Sequence, residues 1–102
     1  MDWNKPEIKR LIDAVLVLKT PEEARRFLRD LLTSTEIEEF SKRFQTARML
    51  SDKIPYSVIK NKTGLSSTTV ARVAKWLNGK GGGYRSVISK LHDHPTPLAR
   101  ES

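Results

Sequence analysis

A chain of 102 residues makes one small domain, with room for a modest core and little for a large enzyme cleft. Only 37% of the residues are hydrophobic, low for a self-sufficient domain and suggestive of a core shared between copies, and the absence of cysteine excludes disulfides and thiolate metal sites. The formal net charge is +7, and with no basic-then-apolar leader and no apolar run near the roughly 18 residues that cross a bilayer, the expectation is a soluble, cytoplasmic protein.

From Pro6 to Lys19, Leu11, Ile12, Val15, Leu16 and Leu18 recur at helical spacing and predict a first helix with one apolar stripe. Thr20-Pro21-Glu22-Glu23 combines a capping threonine, a proline where the missing N–H costs nothing, and a glutamate three residues after the cap. It is the clearest helix start in the chain, and Ala24, Phe27, Leu28, Leu31 and Leu32 supply the apolar face that follows. Thr33-Ser34-Thr35 interrupts the pattern. Glu36, Glu38 and Glu39 then suit the positive end of a third helix, whose stripe of Ile37, Phe40, Phe44, Ala47 and Leu50 runs to about Ser51. These glutamates have no histidine, lysine or metal-ligand spacing beside them, so an acid–base role is set aside and no enzyme is expected.

Beyond Asp52 the charge balance changes. Residues 1–52 hold ten Lys/Arg and ten Asp/Glu, whereas residues 53–90 hold eight Lys/Arg and no acid. An even spread would put about four acids in that window, and their absence points to a polyanionic partner, of which nucleic acid is the commonest for a basic module. Pro55 turns Ile54 away from helical geometry and can itself start a short helix, Tyr56 to Lys62. Gly64 then tolerates a left-handed turn, and Ser66 caps a further helix reaching about Leu77. Two short helices joined through a glycine turn form a helix-turn-helix, whose second member can enter a DNA major groove.

That arrangement requires Ile59, Leu65, Val70 and Val73 to point inward, and all four are aliphatic. Ser67, Thr68, Ala71, Arg72 and Lys75 then share the outer face, with Thr69 beside them. Hydroxyls can donate to or accept from base edges, Ala71 can meet a thymine methyl, and Arg72 can fork onto guanine, so Ser67, Thr68, Thr69, Ala71 and Arg72 are the candidate base readers. Lys60, Lys62, Lys75 and Lys80 are the candidate phosphate contacts. Lys60 departs from the motif, whose fifth position usually carries a small residue.

Asn78-Gly79-Lys80-Gly81-Gly82-Gly83 cannot continue a helix. It reads as a joint, or as backbone amides that meet phosphate, with the joint favoured; it lacks the pattern of a nucleotide loop. Tyr84 to His92 predicts a terminal helix with Val87, Ile88 and Leu91 inward, and residues 93–102 a flexible tail. His92 and His94 have no third ligand in view, so no metal site is expected. The organisation expected is a helical dimerisation core over 1–52, a helix-turn-helix over 53–78, a linker and C-terminal helix over 79–92, and the tail.

Leu31-Leu32-Thr33, the acidic helix start, the long helix through Arg43, Lys60-Asn61, Gly64 and Thr69-Val70-Ala71-Arg72 follow one another as in the Trp repressor family, which the chain resembles over residues 5 to 92. The likeness is closest to its YerC/YecD branch. It implies a bacterial, all-α, intertwined homodimer in which helices of two chains build one core and present two reading heads to successive major grooves. It also implies a ligand pocket: aligned without gaps, the two corepressor-holding arginines of the family fall on Gln45 and Arg72, and the glycine that makes room for the indole falls on Val73. A branched side chain in that space, and an uncharged amide where a carboxylate needs a partner, argue against tryptophan as corepressor. Trp76, one turn beyond Arg72, would either fill part of the degenerate pocket or serve as a core or interface tryptophan. Ser57 stands where the family carries an operator-reading arginine, so the operator need not be shared.

The function expected is a homodimeric, sequence-specific transcriptional regulator, acting as a repressor on a palindromic double-stranded DNA site, without tryptophan, metal or cofactor. The alternative is a helical protein-interaction or RNA-binding module that keeps the helix-turn-helix as scaffold.

Overall fold

The computed structural model describes residues 1–93, which form six helices: α1 (Pro6–Leu16), α2 (Pro21–Leu31), α3 (Ser34–Ser51), α4 (Tyr56–Thr63), α5 (Ser67–Leu77) and α6 (Gly83–Asp93). Nearly all of the expected tail, with His94, lies outside the described residues. The chain divides into two compact units, 1–33 and Ser34 onward.

In the first unit, α1 begins on Pro6 and ends at Leu16, three residues short of the expected Lys19. The reason is local: Thr20 must be extended to cap α2 and to precede Pro21, and its φ of −128° and ψ of 155° leave no room for another helical turn. The Thr20 hydroxyl accepts the Glu23 N–H at 3.1 Å, the bond that the threonine–proline–glutamate pattern anticipates. Neither α1 nor α2 buries a residue. Leu11, Ile12, Val15, Leu16, Leu28 and Leu31 are all exposed. Short helices in water owe their stability chiefly to a covered apolar face, and here the stripes are made but not covered.

In the second unit, α3 packs against α4, α5 and α6, so the long helix belongs with the helix-turn-helix. It starts at Ser34, ahead of the acidic run, because first-turn N–H groups lack intrahelical acceptors and poor helix formers cost little there. It ends in a Schellman turn. The Ile54 N–H donates to the Met49 carbonyl and the Lys53 N–H to that of Leu50, both at 3.0 Å, while Lys53 takes a φ of +64°. Ile59, Leu65 and Val70 form the buried cluster, with Met49, Leu50 and Ile54 packed on it. Val73 and Leu77 are buried further along α5. The four aliphatic positions assigned inward are therefore all inside. Phe40 of the α3 stripe is 46% exposed, and Val87 of α6, expected inward, is 48% exposed.

Candidate functional site

Gly64 ends α4 with a φ of +74° and donates its N–H to the Lys60 carbonyl at 2.8 Å, which makes the sharp turn the helix pair needs. The Thr63 hydroxyl donates to the Ile59 carbonyl at 2.8 Å and accepts the Leu65 N–H at 3.2 Å, tying the end of α4 to the start of the turn. Immediately after Leu65, the Ser66 hydroxyl accepts the Thr69 N–H at 3.2 Å and caps α5. The helix-turn-helix is thus closed by local bonds at each of its corners.

With Val70, Val73 and Leu77 buried, the opposite side of α5 is open. Ser67, Thr68, Ala71, Arg72 and Lys75 are exposed, and the spacing of 67, 71 and 75, and of 68 and 72, keeps them on one face. Thr69 is half-buried, and its hydroxyl lies 3.1 Å from that of Ser66. It is built into the cap, unlike the other four candidate base readers. The first turn of α5 carries no acid, so apart from the Ser66 hydroxyl on the Thr69 N–H no side-chain charge offsets the positive end of its dipole.

Lys60 and Lys62 lie exposed in the last turn of α4, Lys75 in the last turn of α5, and Lys80 in the joint. No acid occurs between residues 53 and 90 to pair with any of them inside the segment. Arg85 belongs to the same basic window but is used differently: its Nη1 donates to the Leu77 carbonyl at 2.6 Å, across the glycine joint. Sequence reading did not find that bond, nor the Thr63 bridge, nor the left-handed Lys53.

Two of the four residues assigned to the degenerate pocket line separate hollows. Gln45 lines a hollow of about 410 Å³ with Ser41, Arg48 and Asp52. Trp76 lines another of about 520 Å³ with Phe44, Tyr84, Val87 and the glycines of the joint. Arg72 borders neither, and Val73 is only 3% exposed. Trp76 is 64% exposed. Among the described residues no group of His, Asp and Glu could hold a metal ion, and no helix is long and apolar enough to cross a membrane.

Residues 6–92 match the family model described as Trp repressor protein. The YerC protein of Bacillus subtilis (strain 168) is 34% identical over 90 residues, covering 88% of this chain and 86% of that protein. The crystal structure of a TrpR like protein from Eubacterium eligens ATCC 27750 superposes with a TM-score of 0.84 at 37% identity, over 88% of this chain and 93% of that one. A second solved chain, from Staphylococcus aureus, gives a TM-score of 0.83 at 29% identity, over 90% and 95% of the two chains.

Proposed function

The chain belongs to the Trp repressor family, and on that premise we propose that it is a sequence-specific regulator of transcription that binds double-stranded DNA as a homodimer. The observation that carries this reading is the two-sidedness of α5: Val70, Val73 and Leu77 are inside, and Ser67, Thr68, Ala71, Arg72 and Lys75 are outside in an acid-free segment. In this reading α5 lies in the major groove. Ser67, Thr68, Ala71 and Arg72 meet base edges, while the Thr69 hydroxyl stays with the cap. Lys60, Lys62, Lys75 and Lys80 neutralise phosphates and set the register.

The uncovered stripes of α1 and α2 support the homodimer, since a second copy is the nearest source of a matching apolar surface. Two reading heads related by a two-fold axis call for an inverted repeat with half-sites about one helical turn apart. Bound over a promoter, such a dimer represses by occupying it. Tryptophan is not its corepressor in this reading, because Val73 is packed into the core and Gln45 offers no charge to a carboxylate.

Selection of bound fragments from random duplexes, followed by salt titration on the enriched sequence, tests the proposal. An enriched inverted repeat is expected, with log affinity falling by close to 0.9 unit per log unit of salt for each phosphate neutralised. An unenriched pool and a flat titration would favour the scaffold reading. Calorimetry with tryptophan is expected to show no heat.

A further inference from the structure

We propose that Arg85 is a positioning residue for the reading helix: it does not touch the polyanion but ties the C-terminal end of α5 to α6 and so sets the angle at which α5 is presented. The functional half of this inference rests on the DNA-binding reading above.

The last carbonyls of a helix have no intrahelical donor and must find one elsewhere. At the end of α5 the Ala74 carbonyl takes the Asn78 N–H at 3.0 Å and that of Trp76 takes the Gly79 N–H at 3.3 Å. The Leu77 carbonyl is served by the Arg85 guanidinium, from eight residues away, at 2.6 Å. A cation at that end also meets the negative pole of the helix, which strengthens the bond.

The joint is shaped around this group. Gly82 has a φ of +72°, so the chain needs glycine there for its conformation, and the guanidinium lies beside it: a Cβ on Gly82 would stand in contact, 3.4 Å, with Arg85 Nη2. Arg85 is followed outward by a second tie: Tyr84, its neighbour on α6, sets its ring 6.5 Å from that of Phe44 on α3, tilted by 32°. The path from α5 through Arg85 to α6, and from α6 through Tyr84 to α3, closes a loop of elements. The arginine adds a polar tie to the packing of α5 on α6, across a five-residue joint, 78–82, that includes three glycines. The formally basic window therefore contains one cation, on an exposed residue, whose guanidinium is engaged by a backbone carbonyl of the fold.

The test uses Arg85→Met in full-length protein with Trp3→Phe, so that Trp76 beside the joint reports by its emission. Amide exchange at residues 78–84 is expected to rise at least about tenfold, and Trp76 emission to shift, while protection at Ile59 and Val70 stays as in the parent. Duplex affinity is expected to fall about tenfold or more with the slope of log affinity against log salt unchanged, because no phosphate contact has been removed. Gly82→Ala, which disturbs the same joint with the arginine in place, is expected to act alike, and the double variant to fall short of the sum of the two. A salt slope reduced by about 0.9 per protomer with exchange at 78–84 unchanged would make Arg85 a phosphate contact and overturn the proposal. Unaltered exchange and affinity together would overturn it too. If the parent ignores duplex DNA, the functional reading fails, while exchange and Trp76 emission still decide whether Arg85 holds the joint. Should Arg85→Met not fold, Gly82→Ala decides by the same readouts.

Discussion

The hydroxyl of Thr63 accepts the backbone N–H of Leu65 at 3.2 Å, inside a turn where both residues are buried. The same hydroxyl donates to the Ile59 carbonyl, so one oxygen satisfies the turn and holds it to α4. Thr63→Val keeps the shape and strands the Leu65 N–H without an acceptor. The expected loss is about 1–3 kcal/mol of unfolding free energy in urea titration, with Thr63→Ser recovering most of it. A valine variant as stable as the parent would show that the bond carries no weight.

Lys53 pays for a glycine's conformation without being one. Its φ of +64° closes the Schellman turn after α3, and a side chain in the left-handed region costs roughly 1–2 kcal/mol, part of which glycine gives back through its greater freedom when unfolded. Lys53→Gly is therefore expected to gain up to about 1 kcal/mol, and Lys53→Ala nothing. Thermal or urea unfolding of the pair checks the sign.

Ile59 and Val70 are fully enclosed at the centre of a small cluster, so there is little else to collapse into a gap. Ile59→Ala is expected to cost about 2–5 kcal/mol and Ile59→Val about 0.5–1.5 kcal/mol. Against the roughly 5–15 kcal/mol of a typical domain, the alanine change removes enough to populate unfolded chains at ambient temperature. Circular dichroism during a denaturant titration reads both.

Leu11 and Val15 lie one turn apart on the open stripe of α1, 42% and 51% exposed. Charging both, as Leu11→Asp with Val15→Asp, costs little within one chain, because neither is covered there. In the proposed homodimer both would be buried without partners. Sedimentation is expected to show a dimer for the parent and a monomer for the variant, with duplex affinity lost in parallel. A variant that remains a dimer would place the shared surface elsewhere.

Arg72 and Lys62 separate reading from holding. Arg72→Ala is expected to cost about 1–3 kcal/mol on the selected duplex and to relax the preference at one base pair in each half-site. Lys62→Ala is expected to weaken every duplex alike and to lower the salt slope by close to 0.9 per protomer. Competition binding at two salt concentrations distinguishes them, and equal behaviour of the two variants would refute the division of labour.

The local grammar of this chain was readable residue by residue. Thr20, Pro21 and Glu23 specify a helix start, Gly64 a left-handed turn and Ser66 a cap, because each acts on backbone groups no more than four residues away. The inward set of Ile59, Leu65, Val70 and Val73 followed from the helix-turn-helix arrangement that those local signals imply. Where neighbouring signals competed, the reading slipped: the apolar spacing carried α1 to Lys19, but the geometry of Thr20 before Pro21 stopped it at Leu16.

What the sequence by itself determined was therefore the helices, the inward face of the helix-turn-helix and an acid-free segment of positive charge. The tertiary structure alone decided how that charge is used, setting Arg85 against Leu77 and Tyr84 against Phe44 while leaving Lys60, Lys62, Lys75 and Lys80 exposed. Periodicity and capping depend on near neighbours and are written in order along the chain. A bond across the glycine joint depends on the path of the backbone through space, and for glycine that path is not encoded by any side chain.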